Sequence, residues 1–142
     1  MRYDPGQSES LLKSERRHAA FPLMVPTVVE QSSYIDQEMP IRVYPLSPSR
    51  RAVRLTFKTD QLAGYWGVEE TPWSDAPALQ QPNFKHTIGG RKYDFYYSGP
   101  NLHMVVLRMP KASYWVVNTL TDTLSNETMI EIAKGLRPLS KR

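Results

Sequence analysis

An α+β domain, in which an antiparallel β-sheet meander carries one C-terminal α-helix packed on it, is the fold class this sequence predicts. Three observations predict it. Residues 86–119 alternate strand-like runs with short turns, and residues 125–138 hold an apolar stripe at helical spacing between a cap and a stop. The composition is that of a globular chain: 142 residues, 40% hydrophobic and 23% charged, enough to bury a core.

Residues 1–20 are polar, and residues 10–17 offer at most two helical turns, too few to persist without tertiary support. They are expected to form a linker or a fraying end, leaving residues 21–142 as a single domain. Residues 21–29 are apolar but broken by Pro22 and Pro26, which lack a ladder donor. An extended segment along a sheet edge or across the core suits them. Arg42, Val43 and Tyr44 suit a short strand before a turn at 45–49. Val53, Leu55 and Phe57 then alternate with Arg54, Thr56 and Lys58, a period-two strand with one buried face. Residues 62–68 are rich in aromatics, with Gly64 and Gly67 marking a bulge or a close approach. Residues 71–85 contain Pro72, Pro77 and Pro82 and are expected to be a long ordered loop.

Gly89-Gly90 supplies the positive φ angles of a tight hairpin between 86–88 and 91–97. Tyr93, Phe95 and Tyr97 share one face of the second strand. Residues 98–101 turn the chain into 102–108, and residues 109–111 turn it again into 112–119. Leu102, Met104 and Val106 oppose Val105 and Leu107, and Tyr114 and Val116 oppose Trp115 and Val117, the pattern of strands covered on both sides. Ser125 is a good N-cap, with Glu127 in the first turn, where a carboxylate meets the helix dipole favourably. Met129, Ile132, Ala133 and Leu136 follow at i, i+3, i+4 and i+7, and Gly135 and Pro138 end the helix.

The chain has no cysteine, which excludes a disulfide framework, a thiolate zinc site and a cysteine nucleophile. The three histidines, His18, His86 and His103, have no second ligand at metal-binding spacing, so no metal and no cofactor is expected. Nucleophile-elbow, P-loop and dinucleotide-binding motifs are missing; the glycines of Gly64-Tyr65-Trp66-Gly67 have the wrong spacing. A non-enzymatic role is the expectation. The net charge of +4 comes from basic residues scattered along the sequence, which reads as a solvated surface and speaks against nucleic acid. Tyr93, Phe95 and Tyr97 could stack on bases, but with only Arg91, Lys92 and Lys111 beside them, core packing is the better account. Asn126-Glu127-Thr128 fits the N-glycosylation pattern.

No run reaches the roughly 18 apolar residues of a membrane span, and the first ten residues are polar and acidic, unlike an export leader. A cytoplasmic protein is expected if the chain is complete, and an extracytoplasmic one if it is a piece of something longer. The 64–79 segment holds the candidate binding residues: Tyr65, Trp66, Trp73 and Asp75. Aromatic faces stack on sugar rings and acids accept their hydroxyls, and Glu69, Glu70 and Asp75 lie near both tryptophans in sequence. The alternatives are burial of Trp66 and Trp73 in the core and glycoside hydrolysis by a pair of these acids.

The blocks Gly64-Tyr65-Trp66-Gly67-Val68, residues 73–79, residues 90–97, residues 102–107 and residues 114–120 occur in an order and spacing that resemble a known region, as does the ending from Leu124-Ser125-Asn126 to Leu136-Arg137-Pro138. The region is the C-terminal accessory part of actinobacterial LytR-CpsA-Psr family proteins, and the similarity covers residues 21–138. That family attaches glycopolymers to peptidoglycan outside the membrane, by the chemistry of a separate, larger N-terminal domain. Nothing here matches that domain, so no catalytic residue is carried over. The resemblance implies an extracytoplasmic accessory or binding module of the cell envelope, with a cell-wall glycopolymer or another envelope protein as its partner. The competing readings are a cytosolic nucleic-acid-binding or regulatory domain, and a small hydrolase.

Overall fold

The computed structural model describes residues 2–3, 6–16, 19, 21–47, 50–60, 64–73 and 76–139. Its class is α+β, as expected. Two strand sets make the main sheet. The first comprises β4 (Ser33–Ile35), β5 (Ile41–Ser47), β6 (Arg50–Thr59) and β7 (Gly64–Thr71). The second is the meander β8 (Phe84–Ile88), β9 (Arg91–Ser98), β10 (Asn101–Arg108) and β11 (Ser113–Val117). Together they form one antiparallel sheet in the order β4–β6–β7–β11–β10–β9–β8, with β5 continuing the β4 edge along β6. The sets join where β11 pairs with β7, Val116 lying opposite Val68.

Local chemistry explains the hairpins. Gly89 and Gly90 have φ of 57° and 80°, the left-handed pair that a two-residue turn between twisted strands needs. Past the meander, α2 (Asn126–Lys134) starts at Ser125, whose hydroxyl accepts from the Thr128 N–H at 3.1 Å. Its Met129, Ile132 and Ala133 are buried against the sheet, and Leu136 just beyond it is buried as well. Burying a side chain of the size of methionine, leucine or isoleucine stabilises by about 1.5–3 kcal/mol. After α2 the chain forms β12 (Leu136–Pro138), a strand not foreseen, which pairs with β2 (Met24–Pro26). The apolar 21–29 segment therefore runs across the core, continuing as β3 (Val28–Val29).

The N-terminal stretch expected to be a linker is docked instead. Its helix α1 (Gln7–Glu15) buries Leu12 completely in the main core, and β1 (Arg2–Tyr3) pairs with β3. A nine-residue helix needs that tertiary support, and one buried leucine in a polar segment is a weak signal in sequence. The expected 42–44 strand also runs on, through Pro45 to Ser47.

The order of strands determines what covers the sheet's outer face. From β7 the chain must pass β11, β10 and β9 to reach β8, a span of about 19 Å at the usual strand spacing. The chain between β7 and β8, described at residues 72–73 and 76–83, makes that crossing. Ala76 and Leu79 pack on Tyr96, Val106 and Trp115, a second small core on the opposite side from α2. The Tyr96 hydroxyl donates to the Leu79 carbonyl, and Arg108 Nη2 donates to the same oxygen at 3.0 Å. The proline-rich loop is thus a lid over the β9–β11 half of the face. Among the described residues, no helix is long and apolar enough to cross a membrane.

Candidate functional site

The crossover leaves the outer face of β5–β6–β7 uncovered. Alternation puts Val53, Leu55 and Phe57 inward, so the outer face carries Arg54, Thr56 and Lys58 of β6, Tyr65 and Glu69 of β7, and Arg42 and Tyr44 of β5. One wall comes from an excursion of the edge. Ile35 pairs with Phe57 and Ile41 with Leu55, so β6 advances by Thr56 alone while the edge spends residues 36–40. The Thr56 backbone fastens both ends: its carbonyl accepts from Asp36 N–H and its N–H donates to the Pro40 carbonyl, each at 3.0 Å. Glu38 and Met39 are thrown outward as a rim.

The result is a groove of about 620 Å³. Its walls are the 36–39 loop, Arg42, Tyr44 and Arg54, with Tyr65 at one end and Thr56 in its lining. Met39, Tyr44 and Tyr65 are 49%, 38% and 50% exposed, and all three open onto this one concavity. Thr56 is buried, yet its hydroxyl has no hydrogen-bond partner among the described residues. Gly67 shapes one flank: a Cβ there would lie 2.8 Å from Arg54 Nε, so the missing side chain lets the guanidinium lie across β7. Arg54 Nη1 is 3.7 Å from Glu69 Oε1. Burial pushes the Glu69 carboxyl above its usual value, and Arg54 opposes that shift. Lys58 Nζ sits 5.8 Å from the centre of the Tyr65 ring, a cation–π contact that holds the ring on the outer face.

The groove brings together only one of the residues expected to bind. Tyr65 is on it. Its neighbour Trp66 is not: successive strand residues face opposite ways, so Trp66 is fully buried, stacked on Phe57 with centroids 4.3 Å apart and donating Nε1–H to Ser33 Oγ at 2.8 Å. Trp66 as a surface binding residue is therefore corrected to a core residue. Trp73 belongs to the crossover lid, half-buried against the second core and outside the groove lining. Asp75 lies outside the described residues. The same alternation separates the acids: Glu69 faces out and Glu70 faces the core, so they cannot flank one sugar. Arg42, Tyr44 and the 36–40 rim escaped sequence reading, because they meet Tyr65 only through pairing of β5 and β7 with the two edges of β6. Gly67 and the polar face of β6 were the legible signals.

Other chemistry is sparse. His103 Nδ1 lies 2.6 Å from Asp122 Oδ1, and among the described residues no hydroxyl hydrogen-bonds to this histidine. No cluster of metal-ligating side chains occurs among them either. Tyr93 and Phe95 are buried in the main core, with Tyr97 packed against it, which removes the base-stacking platform. Comparison with family models, curated proteins and solved structures finds no match for the chain.

Proposed function

We propose that this chain is a non-enzymatic binding module of the bacterial cell envelope, associated with glycopolymer attachment to peptidoglycan, and that a wall glycopolymer lies in the outer-face groove. The convergence of Met39, Tyr44 and Tyr65 with Arg42 and Arg54 on one concavity carries the reading. Exposed rings stack on the apolar faces of sugars, guanidinium forks meet anionic substituents, and the exposed Glu38 carboxylate at the rim can accept hydrogen bonds from sugar hydroxyls. The envelope setting is supported by the sequence resemblance. The separation of Glu69 from Glu70 onto opposite faces of β7 favours binding over glycoside hydrolysis by that pair.

The test is cosedimentation and calorimetry of the purified chain with isolated cell-wall glycopolymer. Tyr65→Ala and Tyr44→Ala should each weaken binding about tenfold, the loss of an aromatic anchor, while the melting temperature stays put. A wild type that ignores wall polymer, or a Tyr65→Ala variant that binds it equally well, would sink the reading.

A further inference from the structure

Five of the basic residues that look scattered along the sequence, Arg91, Lys92, Lys111, Lys134 and Arg137, gather at one end of the fold. That end holds the Gly89-Gly90 turn, the 109–112 turn, and the junction of α2 with β12. Arg91 and Lys92 open β9 and lie beside Ile88 and Thr87, while Lys111 sits in the second turn. Lys134 closes α2, and Arg137 follows in β12. The Arg91 guanidinium reaches the Leu136 carbonyl at 2.8 Å, and Arg137 donates to the carbonyls of Lys134 and Leu136 at 2.8 and 2.9 Å. These bonds draw the hairpin and the helix end into one surface. Its three adjoining clefts, of about 350, 270 and 490 Å³, are lined by Lys85 and Lys92, by Arg91, Lys134 and Arg137, and by Arg91, Lys92, Met109 and Pro110.

Carboxylates paired with described cations lie here too. Asp94 is buried and held by Arg108 Nε at 2.8 Å, and Glu131 lies 3.5 Å from Lys134. At the other end of the strands lie Asp60 after β6, Asp122 in the loop before α2, and Glu127 in the first turn of α2. The cations are thus denser at the turn end, although Lys58 stands close to Asp60 at the other. At the apex of the basic end, Met109 is 37% exposed and Pro110 is exposed beside it. The large exposed apolar rings among the described residues are elsewhere: Tyr44 and Tyr65 on the groove, and Phe84 at the far end of β8.

We propose that this end docks on an anionic lipid bilayer, the Met109-Pro110 turn entering the headgroup layer and the surrounding lysines and arginines meeting lipid phosphates. Cations ringing an apolar apex match a bilayer interface, which takes both kinds of group. A linear polyanion or a nucleic acid gains nothing from an apolar Met109-Pro110 apex. Each cation near an anionic surface favours binding about fivefold, falling off within a Debye length. The docking leaves the groove on the sheet face open and does not depend on what occupies it.

The experiment is vesicle cosedimentation of the full chain, comparing vesicles of about 30% phosphatidylglycerol in phosphatidylcholine with phosphatidylcholine alone, in low salt and in high salt. Binding is expected to the anionic vesicles only and to fade in high salt. The triple variant Lys92→Glu, Lys111→Glu, Lys134→Glu changes three exposed side chains and should bind at least about a hundredfold more weakly. Met109→Ser keeps every charge and should still weaken binding several-fold. The proposal is overturned by equal binding to neutral vesicles, by an unaffected triple variant, or by an unaffected Met109→Ser together with full competition by soluble polyphosphate at matched phosphate. The last result would mark a general polyanion site.

Discussion

Glu70→Gln is expected to gain stability over the wild type as pH rises. Glu70 sits in β7 on the inward face and is fully buried. Its Oε1 accepts the Met24 N–H at 2.6 Å, and its Oε2 has no partner among the described residues. Burial holds its carboxyl well above the ordinary 4.5, with the Met24 N–H pulling the other way. Tyr114, opposite it on β11, is raised too, by burial first and by the Glu70 charge second. The folded protein therefore keeps a proton that the unfolded chain releases above about pH 4.5. Stability linked to this group is complete below that pH. It falls as pH rises, by about 1.4 kcal/mol per pH unit, until the folded carboxyl ionises.

Glutamine keeps the acceptor for Met24 and removes the titration. Its amide hydrogens meet the same empty side, a cost of about 1–3 kcal/mol that does not vary with pH. The slope of the difference is thus the signature, and the offset is not. Urea unfolding of both proteins at steps between about pH 4 and pH 8 reads it directly. Parallel stability profiles, or a difference that moves against glutamine as pH rises, would refute the burial of an unpaired carboxyl here.

Gly67→Ala should destabilise by about 1–3 kcal/mol, because the new Cβ lies 2.8 Å from the Arg54 side chain, which can move, and 2.9 Å from the Leu55 carbonyl, which is backbone. An unchanged denaturation midpoint would mean that β6 and β7 are not so closely apposed. Asn118→Ala should cost about 2–4 kcal/mol in thermal or chemical unfolding. Its side chain donates to the carbonyls of Leu102 and Leu124 at 2.9 and 3.0 Å and accepts from Thr119 N–H and Leu124 N–H at 2.8 and 3.0 Å, so its loss orphans four buried groups; a loss below about 1 kcal/mol would contradict this.

What the sequence determined by itself was whatever depends on near neighbours. Gly89-Gly90 can make its turn because two glycines tolerate positive φ, Ser125 caps α2 through a bond three residues on, and alternation in β6 assigns a face to each side chain. The same alternation already implied that Tyr65 and Trp66 point opposite ways, so one of the two had to be unavailable to a ligand. Tertiary structure alone decided the rest. Docking of β11 on β7 sends the proline loop across the outer face and leaves the groove uncovered. Pairing of β5 across β6 from β7 brings Arg42 and Tyr44 to Tyr65. Leu12 finds a core only once the sheet exists, and cations far apart in sequence share an end because antiparallel strands return there. These outcomes rest on contacts between distant segments, whose free energy comes from buried area and pairing that no single stretch of chain contains.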